Sequence, residues 1–113
     1  MLSQHPNPAP ETSRWSRFRW LPNALSRAAL EAGAVSAKTK ELIALALGVA
    51  GHCDGCIAFH VKALVALGAS RAEIEETLGV TVYMGGGPSL MYSASAMQAF
   101  EQFSAKANDA ARE

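Results

Sequence analysis

An excess of charge of either sign is missing from this chain. Ten Lys and Arg offset ten Asp and Glu, so the formal net charge at pH 7 is +0. The basic field that a nucleic-acid backbone demands is therefore absent. The one local excess, Arg14, Arg17 and Arg19 against Glu11, is too small to change that reading. Long apolar runs are missing too. The longest, Leu42 to Ala50, falls far short of the roughly 20 residues that cross a bilayer. From Met1 to Pro10 the chain is polar and broken by proline, unlike a secretory signal. A cytoplasmic protein with no membrane and no nucleic-acid partner is expected.

Cysteine is scarce. There are two in 113 residues, Cys53 and Cys56. A disulfide between them closes too short a loop to remove many unfolded conformations, so a structural staple is a poor explanation. At CxxC spacing, without an export signal, the pair reads as catalytic or metal-binding. Convincing strand alternation is also lacking, although Val80 to Tyr83 has strand-like composition.

Hydrophobic residues make up 50% of the chain, enough for one domain, though many are alanine and each buries little area. A domain of this size often completes its core by oligomerising. Residues 1–22 read as an irregular arm with prolines at 6, 8, 10 and 22. It carries Trp15, Phe18 and Trp20, which a disordered tail rarely does. Those rings are expected to lie over the protein's own core or against a neighbouring subunit.

Residues 23–113 read as all-α. Asn23 is placed to cap a first helix to about Ala32, ended by Gly33. Ser36 opens a second over Ala37–Ala50, apolar nearly all round after Glu41 and so expected to be central and buried. Gly51 and His52 form a corner, and a third helix runs from about Asp54 to Leu67 before Gly68. Ser70 and Glu73 make a capping box for a fourth, Arg71 to about Met84. Gly85-Gly86-Gly87 break the chain, and Pro88 suits the first turn of a fifth helix to about Lys106. The glycine run lacks the Lys-Ser/Thr and the preceding strand of a phosphate loop, so it reads as a break that permits close backbone approach. Tyr83, Met84, Met91 and Tyr92 flank it as core or interface residues, not as a substrate pocket.

The chemistry concentrates at Cys53-Asp54-Gly55-Cys56 and His60. At about 100° per residue, Cys56 lies about 60° from Cys53 on a helical wheel, with His60 between them. The thiol pair can cycle between dithiol and disulfide. Cysteine reacts as thiolate, and a helix N-terminus and a nearby base both raise that fraction. His60, one turn beyond Cys56, is placed to accept the proton. If the second and third helices fold back about His52, Glu41 falls within a turn of His60. A carboxylate on an apolar helix is costly to bury without a partner, and an imidazole N–H is a natural one. The expected relay is Glu41 to His60 to Cys56; the alternative makes Glu41 a first-turn acid favouring the helix dipole. Asp54 adds opposing negative charge unless it is occupied in capping.

Three other readings stay open on the residues alone. Cys53, Cys56 and His60, with His52 or Glu41, form a possible zinc set, although structural zinc usually takes ligands from two separated pairs. The CxxC can serve as a thiol–disulfide adapter that shuttles electrons between partners. The cysteines can also be small core residues in an inactive scaffold. A thioredoxin fold is not expected, because no βαβ pattern surrounds the motif.

The run Lys40-Glu41-Leu42-Ile43-Ala44, the block Cys53-Asp54-Gly55-Cys56-Ile57-Ala58-Phe59-His60 and the break Met84-Gly85-Gly86-Gly87-Pro88 resemble the carboxymuconolactone decarboxylase / alkylhydroperoxidase D-like family over roughly Leu25 to Phe103. The resemblance implies an all-helical bundle of about five to six helices, assembled as a trimer or hexamer. It implies a peroxiredoxin-type oxidoreductase that reduces organic hydroperoxides without a cofactor. By position, Cys56 is then the peroxide-attacking thiol, Cys53 the resolving partner, and His60 and Glu41 the relay. A lipoyl or thioredoxin-like protein is the implied dithiol donor. The family's best-studied pattern has a second histidine just before the second cysteine, where this chain has Gly55. Its decarboxylase branch is not expected to use a CxxC pair, which argues against lactone decarboxylation here.

Overall fold

A computed structural model describes residues 22–112, and within them five α-helices and no strand. Residues 1–21, with Trp15, Phe18 and Trp20, lie outside the described part. The helices are α1 (Pro22–Leu30), α2 (Ala37–Ala50), α3 (Asp54–Ala66), α4 (Arg71–Gly85) and α5 (Gly87–Arg112). The all-α expectation holds.

Helix ends follow local chemistry. Ser36 caps α2, its hydroxyl accepting from the Thr39 N–H at 3.1 Å. Ser70 and Glu73 form the reciprocal capping box of α4: Glu73 N–H donates to Ser70 Oγ, and Ser70 N–H to Glu73 Oε1. Three expected ends move, among them the end of α1, which falls at Leu30 and not Ala32. The first helix starts at Pro22, so Asn23 lies in its first turn instead of capping it. Proline suits that place, since its missing N–H would have had no intrahelical partner. The fifth helix runs on past Lys106 to Arg112.

The core joins Leu45 and Val49 of α2, Ile57, Val61 and Leu64 of α3, Ile74 and Leu78 of α4, and Ala96 of α5. Helices α2 and α5 each pack against both α3 and α4, and also against each other. Among the described residues α3 and α4 do not meet, so they flank the α2–α5 pair, and α1 touches α2 alone. Helix α2 is thus central, as its composition suggests, but it is not buried all round. Ile43 and Leu47 stay exposed and, with Val80 of α4, edge a groove of about 340 Å³. Lys38 of α2 and Glu73 of α4 pair at 2.7 Å across the same helix pair. That ammonium bond, and then the Ser70 N–H, hold the Glu73 carboxyl below the usual glutamate range.

The glycine run makes one sharp break. Only Gly86 separates α4 from α5, and its φ of 79° lies where glycine alone is unstrained. At Gly85 a Cβ would collide with the hydroxyl of buried Ser89 and would touch Ala50 of α2. The close approach expected of this run is therefore real. Tyr83, Met84 and Met91 beside it are strongly exposed, which removes the core reading for these three; Tyr92 is partly buried.

Candidate active site

The site forms where α2 turns back into α3. Gly51 closes α2, and two bonds then reverse the chain. Cys53 N–H donates to Gly48 O at 2.9 Å, and His52 N–H to Val49 O at 3.1 Å. This is a Schellman ending, whose left-handed residue is usually glycine. The next corner follows that habit: Gly68 has φ 78°, with Ala69 N–H on Leu64 O at 3.0 Å. At the first corner the left-handed residue is His52, φ 55°, the one non-glycine with positive φ among the described residues. Such a conformation costs an L-residue about 1–2 kcal/mol. Its ring stacks on Tyr92 of α5, with centroids 4.8 Å apart and planes 11° from parallel, a contact worth about 0.5–1.5 kcal/mol. The stack therefore offsets much of the strain.

Cys53 is the N-cap of α3, not a member of its helical stripe. Its backbone is extended, and its sulfur accepts the Cys56 N–H at 3.2 Å. Capping thus falls to a sulfur, while Asp54 sits exposed in the first turn. The wheel angle expected between Cys53 and its neighbours does not apply, because Cys53 and His52 both lie outside the helix. Cys56 and His60, four residues apart within α3, do share a face. Cys53 and Cys56 are bonded as a disulfide, with Cα atoms 5.3 Å apart.

Glu41 and His60 meet as the folded-back helices require. Glu41 Oε2 lies 2.7 Å from His60 Nδ1, and the two side chains are only 8% and 17% exposed. An ionised carboxylate can only accept, so the bond places hydrogen on Nδ1 and leaves Nε2 free to take a proton. The ring of exposed Phe59 meets the His60 ring edge-on at 5.1 Å. Cys53, Cys56, His60 and Glu41 are thus brought to one corner. Among the described residues no three His, Cys, Asp or Glu side chains are grouped to hold a metal ion.

Two residues of this corner did not stand out in the sequence. Gly48 is buried in α2, and a Cβ on it would stand 3.1 Å from the Cβ of Cys56. A glycine inside a Leu/Ala-rich helix was the available signal, since it costs helix stability unless something approaches closely. Tyr92 was grouped with the residues around the glycine break; its stacking on His52 had no local signature.

An all-helical bundle with a CxxC pair at the head of one helix and a buried Glu–His bond beside it is the class defined so far. The carboxymuconolactone decarboxylase family model matches residues 17–99, and the chain belongs to that family. A crystal structure of an apo carboxymuconolactone decarboxylase family protein from Legionella pneumophila superimposes with a TM-score of 0.72 at 61% identity, covering 73% of each chain. An uncharacterized protein of Cupriavidus necator is 39% identical over 79 residues, 70% of each chain. An uncharacterized protein from the cox locus of Paracoccus denitrificans is 32% identical over 79 residues, 70% of this chain and 71% of its own.

Proposed function

We propose that this protein is a thiol-dependent peroxidase of the alkyl hydroperoxide reductase type, cycling Cys53 and Cys56 between dithiol and disulfide. The observation that carries this reading is the buried 2.7 Å bond between Glu41 and His60, one helical turn from Cys56. His60 takes the Cys56 proton, and the thiolate attacks the terminal oxygen of an organic hydroperoxide. The O–O bond breaks, the alcohol leaves with a proton, and Cys56 becomes a sulfenic acid, oxidised by two electrons. Cys53 sulfur then attacks Cys56 sulfur. The S–O bond breaks, water leaves with the Cys53 proton, and the disulfide forms. A dithiol protein of the lipoyl or thioredoxin-like class returns two electrons and two protons by exchange. The cycle uses no bound cofactor, and a cytoplasmic setting supplies such donors.

The same reading makes the protein a homo-oligomer, a trimer or hexamer. Supporting it, Leu47 is 68% exposed, Val80 64%, Tyr83 84% and Met84 76%, more apolar surface than a lone small domain comfortably shows to water. No helix among the described residues is long and apolar enough to cross a membrane.

The test is mass spectrometry of the fully reduced protein before and after one equivalent of cumene hydroperoxide. The peptide spanning residues 53–56 is expected to lose two hydrogens, with the alcohol formed in equal amount. Turnover of a protein disulfide with no consumption of the hydroperoxide would make the protein a thiol–disulfide adapter instead.

A further inference from the structure

His52 is the feature that the proposed cycle does not use. The bundle spends its one described left-handed non-glycine residue on an imidazole, directly before Cys53. Gly68 shows the unstrained solution to the same turn sixteen residues later in this chain. The His52 ring is not there to fill the core, since the residue is exposed. Stacking on Tyr92 holds the ring against α5, and the backbone bonds to Val49 and Gly48 hold the peptide on either side of it. The imidazole is therefore fixed at the residue next to a reactive sulfur.

We propose that His52 is a positioning residue that sets the thiolate fraction of Cys53, as His60 and Glu41 set that of Cys56. The two sulfurs have different surroundings. Cys56 lies inside α3 on the His60 face, whereas Cys53 sits before the helix as its cap, directly after His52. Consecutive Cα atoms are about 3.8 Å apart, so the His52 ring and Cys53 sulfur lie within about one Debye length at ordinary salt. A cationic or N–H-donating ring there favours thiolate over thiol. The other titratable groups of the corner are the Tyr92 phenol on α5 and the Asp54 carboxylate on α3. Asp54 opposes the effect with its negative charge. The thiolate matters twice. It attacks the Cys56 sulfenic acid, and it is the group released when a donor thiolate attacks Cys56 sulfur, breaking the S–S bond and leaving the electron pair on Cys53.

This inference deepens the proposed function, but its test needs no peroxide. The reduced Cys56→Ser protein, with Cys53 as its single thiol, is alkylated with iodoacetamide across pH, with and without His52→Asn or His52→Gly. Both replacements accept a left-handed backbone, so the corner is retained, and a thermal melt verifies it. Alkylation of Cys53 near pH 7 is expected to slow about three-fold or more, with its midpoint moved to higher pH. In the Cys53→Ser protein, His52→Asn is expected to leave the Cys56 profile in place, whereas His60→Ala moves it. Superimposable Cys53 profiles overturn the proposal. So does an equal shift at both cysteines, which would mean that His52 only holds the corner together. A protein that consumes no hydroperoxide yet shows the Cys53 shift sinks the peroxidase reading and leaves this one standing.

Discussion

Gly48 of α2 faces the Cβ of Cys56 so closely that a methyl group in its place would stand 3.1 Å away. The backbone of one helix forms the back wall of the thiol site on the other. Gly48→Val is expected to overpack this contact and destabilise the fold by about 1–3 kcal/mol. Urea unfolding measures it; a variant as stable as the parent would mean that the corner yields freely.

The two cysteines are expected to fail differently. Cys56→Ser abolishes peroxide consumption, because the attacking sulfur is gone. Cys53→Ser consumes one equivalent and stops with the sulfenic acid on Cys56, which a dimedone adduct at that residue detects. Normal turnover by both single variants would contradict the dithiol cycle.

Removing His60 has a structural cost as well as a chemical one. Glu41, 8% exposed in its side chain, loses the imidazole it is bonded to, so His60→Ala is expected to destabilise by about 1–3 kcal/mol. Cys56 alkylation then needs a higher pH. Glu41→Gln keeps a hydrogen-bonding side chain and removes the charge, so it separates the two effects. Its melting temperature is expected to fall less than that of His60→Ala, while its alkylation still shifts to higher pH.

The Lys38–Glu73 pair gives a pH signature elsewhere in the molecule. Because the folded-state Glu73 carboxyl titrates below the usual glutamate range, its contribution to stability is full above that range. It is lost as pH falls through the lowered value. Stability of the parent and of Glu73→Gln is therefore expected to differ at neutral pH and to converge in acid. Denaturation series at several pH values show it; a gap that widens toward acid would have the wrong sign.

Charge on the exposed apolar groove tests the assembly. Leu47→Lys combined with Val80→Lys is expected to lower the sedimenting mass toward that of one chain while helicity is retained. An unchanged mass would mean that this groove carries no subunit contact.

Much of this was legible in the residues, for reasons that differ from helix to helix. Ser36, the Ser70–Glu73 box and the glycines past each end act within a turn, so the bounds of α2 came out as Ala37–Ala50 and the start of α4 as Arg71. Glu41 and His60 were legible because a helical hairpin about residue 52 has few ways to fold. Neither the end of α1 at Leu30 nor the extension of α5 to Arg112 carried a strong stop signal. Cys53 lies off the position a wheel assigns it for a related reason. A helical wheel assumes helix on both sides of the motif, whereas the Schellman bonds from α2 hold residues 52 and 53 outside it. Contacts with α5, such as Tyr92 on His52, are long-range and leave no local pattern.

The Cys56 amide hydrogen points at Cys53 sulfur across 3.2 Å, so the head of α3 is tied to the oxidation level of its own cap. A thiolate is a stronger acceptor than a disulfide sulfur. Reduction that leaves Cys53 as thiolate is therefore expected to tighten the helix, and a firmer helix in turn makes the added electrons harder to withdraw. Deuterium uptake at that single amide would read the redox state of the molecule from its backbone.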